Sequence, residues 1–316
     1  MSRHLNNLVF LCSVVIIPIQ SFAQTSADVV ATVTTPTGHE VNFGVSGYDY
    51  VEPGAADISI HGPKFGGGYT GAISLSTAHH WFIQTQAQGL AGSTTYDGWC
   101  SPILITPAST SPNGYALDFG ERSACSDSGD KEWYLEGRAL VGKDFTGQKW
   151  GWSPAFGLGV RHLSNGTTGI PGYRTDDYLY LPVAVTARTT AASLSALSFH
   201  VEYDYLLHGW QHTHDSKRGG GDLPATRIAP AFTIDGFSDV SFDQHSGWAL
   251  RASAKYQMTT HWSVNPEYIH WNVSTSPVSY ETATFTVNGI TARQQLGFYE
   301  PLNTTNEFLV KLGFRF

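Results

Sequence analysis

The last strand-length stretch of the chain constrains the fold most. Residues 306–316 alternate strictly, and every second side chain is apolar: Phe308, Val310, Leu312, Phe314 and Phe316. The intervening face is mostly polar, with Glu307, Lys311 and Arg315. A period of two with a continuous apolar face is what a lipid-facing β-strand requires. The alternative is an edge strand of a soluble β-sandwich.

Similar alternation recurs at earlier positions in the chain. After the apolar run near the N-terminus, no stretch approaches the ~18 uninterrupted apolar residues of a membrane-spanning helix. The pattern predicts an all-β fold, a transmembrane antiparallel up-and-down β-barrel of ten strands, an even number as such barrels need. The predicted strands cover approximately residues 40–50, 66–76, 81–91, 132–144, 151–163, 178–188, 195–207, 247–257, 261–273 and 306–316. The 33 glycines and the 13% aromatic content suit short strands and turns.

The connections between these strands alternate between short and long. The short ones are Thr77–His80, Phe145–Trp150, Thr189–Leu194 and Met258–His261. The long ones are Val51–Phe65, Gly92–Lys131, Ser164–Asp177, Gly209–Asp243 and Ser274–Thr305. This predicts periplasmic turns, five long extracellular loops and periplasmic termini. The terminal Phe316 also resembles the C-terminal signal of bacterial outer-membrane proteins.

The N-terminal region predicts export from the cytoplasm. Arg3 precedes an apolar run, Leu8–Pro18, and Ser21, Phe22 and Ala23 supply a small-x-small cleavage site. We therefore expect a signal peptide over residues 1–23 and a Gram-negative outer-membrane barrel over residues 24–316. Export leaves an even pair of cysteines in an oxidising compartment, so Cys100 and Cys125 are predicted to form a disulfide.

The charge of the chain limits its partners. A formal net charge of −8 argues against nucleic acid, which needs clustered Lys and Arg. Outer-membrane lipid and lipopolysaccharide are the expected partners, and no cofactor is expected. Charges of both signs are predicted to face one narrow lumen, which favours a paired plug over a wide pore. These candidates are Glu136, Arg138, Glu202, Asp204, Arg251, Lys255, Glu267, Lys311 and Arg315.

One short motif suggests ester hydrolysis. His162, Ser164 and Asn165 form a His-x-Ser-Asn sequence at the predicted extracellular end of the fifth strand. The motif resembles that of the outer-membrane lipid A 3-O-deacylases. The resemblance implies a general base at His162, a nucleophile at Ser164, an orienting acid at Asp176 and an oxyanion or positioning role for Asn165. The alternative is turn chemistry at a strand end.

A second cluster suggests metal binding. His208, His212 and His214 lie close together in sequence, with Asp215 beside them and His245 at the other end of the same predicted loop. Imidazoles at this density predict a Zn²⁺ or Cu²⁺ site. The cluster also resembles the omptin proteases, although the loop after the third strand offers one acid, Asp97, where that family uses two. The alternative is a solvated loop.

Three functions remain open at this point. The first is a surface barrel with a structural, adhesive or narrow-channel role. The second is a lipid A acyl-ester hydrolase, the activity expected if the chain is an enzyme. The third is an omptin-like protease or metal-binding surface protein.

Overall fold

The computed structural model describes residues 34–53, 58–76, 78–147, 150–166, 174–189, 197–217, 221–225 and 230–316. The predicted signal peptide, residues 1–23, lies outside the described residues, as do parts of several predicted connections. No helix within these ranges is long and apolar enough to cross a membrane.

The described residues fold almost entirely into strands. In chain order they are β1 (Gly38–Glu52), β2 (Ile58–Ser76), β3 (Trp81–Cys100), β4 (Ile103–Pro107), β5 (Tyr115–Phe119), β6 (Ser123–Lys143), β7 (Phe145–Thr146), β8 (Trp150–Gly166), β9 (Arg174–Thr189), β10 (Leu197–Thr213), β11 (Gly221–Leu223), β12 (Phe232–Phe237), β13 (Ser241–Gln244), β14 (Gly247–Gln257), β15 (Trp262–Val273), β16 (Ser279–Val287), β17 (Ile290–Phe298) and β18 (Asn303–Arg315). A single 3-10 turn, Asp215–Lys217, follows β10.

Ten of these strands form a closed antiparallel barrel, which confirms the predicted fold. Each strand pairs with the next in the order β1, β2, β3, β6, β8, β9, β10, β14, β15 and β18. The last strand then closes the barrel on the first, from Glu40 opposite Arg315 to Val51 opposite Thr304. Closure satisfies the strand backbones from within the sheet, so the barrel has no free edge.

Alternation assigns side chains to the two faces as predicted. On β8, Trp152, Phe156 and Val160 are exposed on the outer surface, whereas Ser153 and Arg161 are buried in the lumen. The exposed apolar side chains of neighbouring strands form one belt. Its members include Phe43, Val45, Phe65, Leu135, Phe156, Leu158, Val160, Val183, Val185, Phe199, Val201, Leu250, Phe308 and Leu312.

The segments predicted as long loops contain much more regular structure than expected. β1 and β2 stay paired up to Glu52 opposite Ile58, and β3 and β6 stay paired up to Cys100 opposite Ser123. The predicted disulfide between Cys100 and Cys125 joins these two strands and is confirmed. Beyond a bilayer a strand needs no apolar face, so its alternation no longer marks it in the sequence.

A small sheet stands at the end of the barrel where these long strands extend. Strands β11, β12, β16 and β17 form this sheet, and the β4–β5 hairpin packs against it. Their shared core comprises Ile105, Leu117, Phe232, Ile234, Ala283, Phe285, Val287 and Ala292. Gln294 of β17 also bonds the backbone of Leu117, accepting from its N–H at 2.7 Å and donating to its carbonyl at 3.0 Å. We call these six strands the platform.

Ion pairs fill the lumen, as the mixed charges predicted. At mid-height Arg251 is 1% exposed and bonds Asp204 Oδ2 at 2.7 Å through Nε. Its guanidinium also pairs with Glu136 and, at 3.4 Å, with Glu202. Since desolvating a charge costs several kcal/mol, these groups are tolerable in the interior only as a mutually paired set.

Further pairs lie above and below this cluster. Near the start of β1 and the end of β18, Lys255 Nζ contacts Glu40 Oε1 at 2.6 Å, and Arg315 contacts the same carboxylate. Towards the platform, Lys64 Nζ lies 3.3 Å from Glu132 Oε1 and 3.0 Å from the centroid of the Tyr48 ring. Paired charges therefore occur at three levels of the lumen.

Arg251 gives a direct test of this interior. We expect Arg251→Met to lower the free energy of unfolding by roughly 3–5 kcal/mol, because the carboxylates of Glu136, Glu202 and Asp204 lose a shared cation. Urea unfolding of the refolded protein, followed by the heat-modifiable gel band, measures the change. Arg293→Ala, on an exposed face of β17, is the control and should shift stability by no more than about 0.5 kcal/mol. Equal effects of the two variants would contradict the prediction.

Candidate functional site

Cross-strand register builds a polar row on the outer surface near the platform end. His162 of β8 lies opposite Asp177 of β9, Asp177 lies opposite Trp210 of β10, and Trp210 lies opposite Asp243 of β13. All four side chains point outward, above the apolar belt. We call these four residues the outer row. All four fall in or beside the segments that the sequence analysis selected.

His162 is held by its neighbours in the outer row. Its Nδ1 lies 2.7 Å from Asp177 Oδ1, and its ring centroid lies 5.1 Å from that of Trp133. The side chain remains 36% exposed. A carboxylate on Nδ1 favours the tautomer that leaves Nε2 to exchange a proton, as in a general base.

The other two residues of the deacylase-like motif, Ser164 and Asn165, are both buried, unlike His162. Ser164 is 1% exposed and follows His162 by two positions along β8, a rise of about 6.7 Å. Asn165 is also buried, opposite Glu132 and Arg174 in the neighbouring strands. The structure brings Ser164 and Asn165 close to His162 along one strand, and the catalytic role of these residues stays a prediction.

Asp176 is not the partner of His162. It is buried on the lumen side of β9, opposite Gln211, because adjacent residues of a strand face opposite ways. Asp177, the next residue, makes the contact that the family spacing assigned to Asp176. Arg174, on the same strand, is drawn inward to Glu300 at 3.3 Å and Glu52 at 4.0 Å.

A β-bulge decides where the histidines of β10 point. The register between β9 and β10 shifts between Leu206 and His208, which leaves Leu207 as an extra residue. Before the bulge, odd-numbered residues such as Tyr205 face outward, and after it even-numbered residues such as Trp210 do. Uninterrupted alternation would have turned His208 and His212 into the lumen. The bulge brings them to the outer surface.

The predicted histidine cluster divides into two groups on this surface. His208 contacts Asp243 Oδ1 at 3.1 Å and His245, whose ring centroid is 5.0 Å away. His212 and His214 form the second group, with ring centroids 4.7 Å apart. Asp239 is near this second group, its Oδ2 lying 3.9 Å from His212 Nε2. His208 therefore does not belong to the same donor set as the other two histidines.

The pKa values of two members of the second group, His214 and Asp239, are both lowered by their surroundings. Partial desolvation, with Lys217 and His212 nearby, lowers the pKa of His214. Desolvation by itself would raise the pKa of Asp239, but the hydrogen bonds from Ser216 and the two histidines lower it overall. These shifts favour an unprotonated His214 and an ionised Asp239 near neutral pH.

The structure places the omptin-like candidates on separate strands, and their catalytic role stays a prediction. Asp97, the one candidate acid on β3, is half-exposed and lies 3.8 Å from His61 of β2. Strands β6, β8 and β9 separate β3 from the histidine-bearing β10. Asp215 is buried at the start of the 3-10 turn.

Comparison with known proteins adds little to this picture. No protein-family model and no curated protein sequence matches the chain. Solved structures similar to it include the outer membrane protease OmpT from Escherichia coli, with 10% identity, 89% of this chain and 98% of that chain covered, and a TM-score of 0.47. The translocator domain of the autotransporter NalP from Neisseria meningitidis has 10% identity, coverages of 89% and 90%, and a TM-score of 0.34. The Pseudomonas putida toluene transporter TodX has 10% identity, coverages of 89% and 89%, and a TM-score of 0.28. Identities and TM-scores this low carry no function from those proteins to this chain.

Proposed function

We propose that this chain is an outer-membrane barrel with a closed lumen that holds the platform at the cell surface for structural or adhesive contacts. The observation that carries the proposal is the lumen filled with paired charges. If the interior is filled by a plug of side chains, the outer end of the barrel is the part that is able to contact a partner. Three features support the proposal in turn.

The outer surface has the layering of a membrane-spanning barrel. The apolar belt is flanked at the end of the short turns by large aromatic side chains, which suit the bilayer interface. They are Trp81, Phe145, Trp150, Trp152, Trp262 and Phe316. The other border carries Trp133, Tyr205, Trp210, Trp248 and Tyr268. We place the platform on the extracellular side because short turns mark the periplasmic side of such barrels.

In the part of the interior that the structure describes, the space found at mid-height is small. A polar cavity at mid-height is lined by Asn42, Tyr69, Gln88, Arg138, Arg251 and Lys311, among others, and has a volume of about 20 Å³. That volume suffices for roughly one water molecule. Salt bridges on both sides of the cavity would have to separate before an ion could pass. This favours the structural or adhesive role over the narrow channel.

The platform is a firm support for surface contacts. The disulfide between Cys100 and Cys125 ties two of the extended strands together, and the β4–β5 hairpin they enclose packs into the platform core. At the platform edge, Val278, Tyr280, Ile290 and Tyr299 are at least half exposed. Apolar and aromatic side chains on a rigid sheet are suited to binding a protein or glycan surface.

The orientation is tested with two epitope tags. A tag inserted between Asn288 and Gly289, at the tip of the β16–β17 hairpin, should bind antibody on intact cells, because this tip lies on the proposed outer side. A tag after Thr260, in the short turn between β14 and β15, should bind antibody only after the outer membrane is permeabilised. The reverse pattern would invert the topology, and labelling of neither tag in permeabilised cells would remove the outer-membrane assignment.

The closed lumen is tested by planar-bilayer recording. Purified refolded protein should insert without producing discrete current steps at 100 mV in 1 M KCl, because the paired charges occupy the conduction path. A sixteen-stranded porin under the same conditions serves as the positive control for insertion and detection. Reproducible unit currents from the wild-type protein would favour the narrow-channel role instead.

A second candidate is an acyl-ester hydrolase acting on lipid A. The observation that favours it is the 2.7 Å contact between His162 Nδ1 and Asp177 Oδ1, which orients an imidazole near the proposed outer leaflet. Ser164 supplies the nucleophile in this scheme, and lipopolysaccharide is the substrate class. The scheme needs Ser164 to become accessible when lipid binds.

Mass spectrometry of lipid A from cells with and without the protein tests this candidate. If the hydrolase is correct, Ser164→Ala abolishes release of ester-linked acyl chains and Asp177→Asn reduces it at least tenfold, since Nδ1 loses its orienting carboxylate. Asp243→Asn, which alters another carboxylate of the outer row, is the control and should retain full activity. All variants must keep the heat-modifiable folded band. Unaltered lipid A in wild-type cells would exclude the hydrolase.

A further inference from the structure

The end of β10 and the segments that follow it and precede β13 carry nitrogen and oxygen atoms able to bind a metal, which no function above uses. Among the described residues, one group of three His, Cys, Asp or Glu side chains brings donor atoms within 4.8 Å of one another, namely His212, His214 and Asp239. Two imidazoles and one carboxylate are ligands typical of Zn²⁺, and Cu²⁺ binds imidazole even more strongly. Mg²⁺ and Ca²⁺ prefer oxygen-rich sites.

The backbone holds the three residues together. His212 lies opposite Ser241 in the ladder between β10 and β13, and the next residues, Thr213 and Val240, bond through Thr213 N–H to the Val240 carbonyl at 2.9 Å. Thr213 Oγ1 also accepts from Val240 N–H at 3.1 Å. Continuing this register sets His214 opposite Asp239. The three donors therefore share one face of a paired backbone segment.

Hydrogen bonds to Ser241 and Ser216 occupy one polar atom each of His212 and Asp239, and so determine which atom of each side chain would face an ion. His212 Nδ1 lies 2.8 Å from Ser241 Oγ, which leaves Nε2 as the atom that would bind the metal. Asp239 Oδ1 accepts from Ser216 N–H at 2.9 Å, which leaves Oδ2 directed towards His212. Metal-binding histidines and carboxylates are commonly held by such second partners.

The separation of the ligand atoms is close to that found around a bound zinc ion. His212 Nε2 and Asp239 Oδ2 are 3.9 Å apart, whereas ligands at ~2.1 Å from a tetrahedral Zn²⁺ are about 3.4 Å from each other. Side-chain rotations that bring the donors together by about an ångström would complete the site. Three protein ligands then leave a fourth position for water.

We propose that His212, His214 and Asp239 form a surface site for a borderline transition-metal ion, Zn²⁺ or Cu²⁺, with His208 outside it. The ion would join the end of a barrel strand to the segment that leads into the platform. Ser238, next to Asp239, donates from its N–H to the carbonyl of Thr282 in β16 at 2.9 Å. Binding would thus stiffen the junction between barrel and platform. The site lies outside the lumen and is independent of whether the barrel conducts.

Isothermal titration of the refolded full-length protein with ZnCl₂ tests the site. We expect one ion per chain. Asp239→Asn and His214→Ala should each weaken binding, raising the dissociation constant at least tenfold. The matched control is the double variant His208→Ala/His245→Ala, which removes two histidines from the same surface and should bind as the wild type does. Absence of binding by wild-type protein would overturn the proposal. Equal loss in the control would overturn the donor set.

Cu²⁺ provides a readout that does not depend on affinity. Electron paramagnetic resonance of the protein with one equivalent of Cu²⁺ should show hyperfine coupling to two nitrogen ligands, and His214→Ala should reduce it to one. Circular dichroism and the heat-modifiable band establish that each variant folds. A spectrum unchanged by His214→Ala, in folded protein, would place the ion elsewhere and contradict the proposal.

Discussion

Closure of the barrel by β1 and β18 is the constraint on which the rest of the structure depends. In hydrocarbon an unpaired backbone N–H or carbonyl costs several kcal/mol, so a spanning sheet must have no edge. The last strand meets this requirement by pairing with the first from Glu40 opposite Arg315 to Val51 opposite Thr304. Once the sheet is closed, alternation divides its side chains between lipid and lumen. Phe308 and Leu312 must then face out, while Glu307 and Lys311 must face in.

The content of the lumen follows from this division. A ten-stranded barrel is narrow, so charged side chains from opposite walls come within bonding distance. Arg251 of β14 reaches Asp204 and Glu202 of β10 and Glu136 of β6. Such a network is a weak argument for stability by itself, because pairing has to offset desolvation of every member. The same network supports the proposal that the outer end of the barrel, and not its lumen, meets a partner.

Two parts of the structure escaped the sequence analysis for identifiable reasons. Asn288 and Gly289 have φ values of 50° and 78°, as a tight hairpin turn requires. The Asn-Gly pair between the alternating residues of β16 and β17 was a usable signal for a hairpin inside the predicted loop. The bulge at Leu207 left no comparable signal. It inserts one residue without glycine or proline, and its position depends on how β9 and β10 pair.

The pattern of residues was sufficient for the ten strands, their faces and the mixed charges of the lumen, because a period of two is a property of neighbouring residues. The Cys100–Cys125 disulfide was predicted from the expectation of export, which leaves an even pair of cysteines. The partners of individual side chains depended on the register between distant strands. Register pairs His162 with Asp177 and buries Asp176, one residue away, in the lumen. It also groups His212 and His214 with Asp239, 25 residues downstream of His214, and separates them from His208. A shift of one residue in any of these ladders would exchange the two faces, and no local pattern specifies that shift.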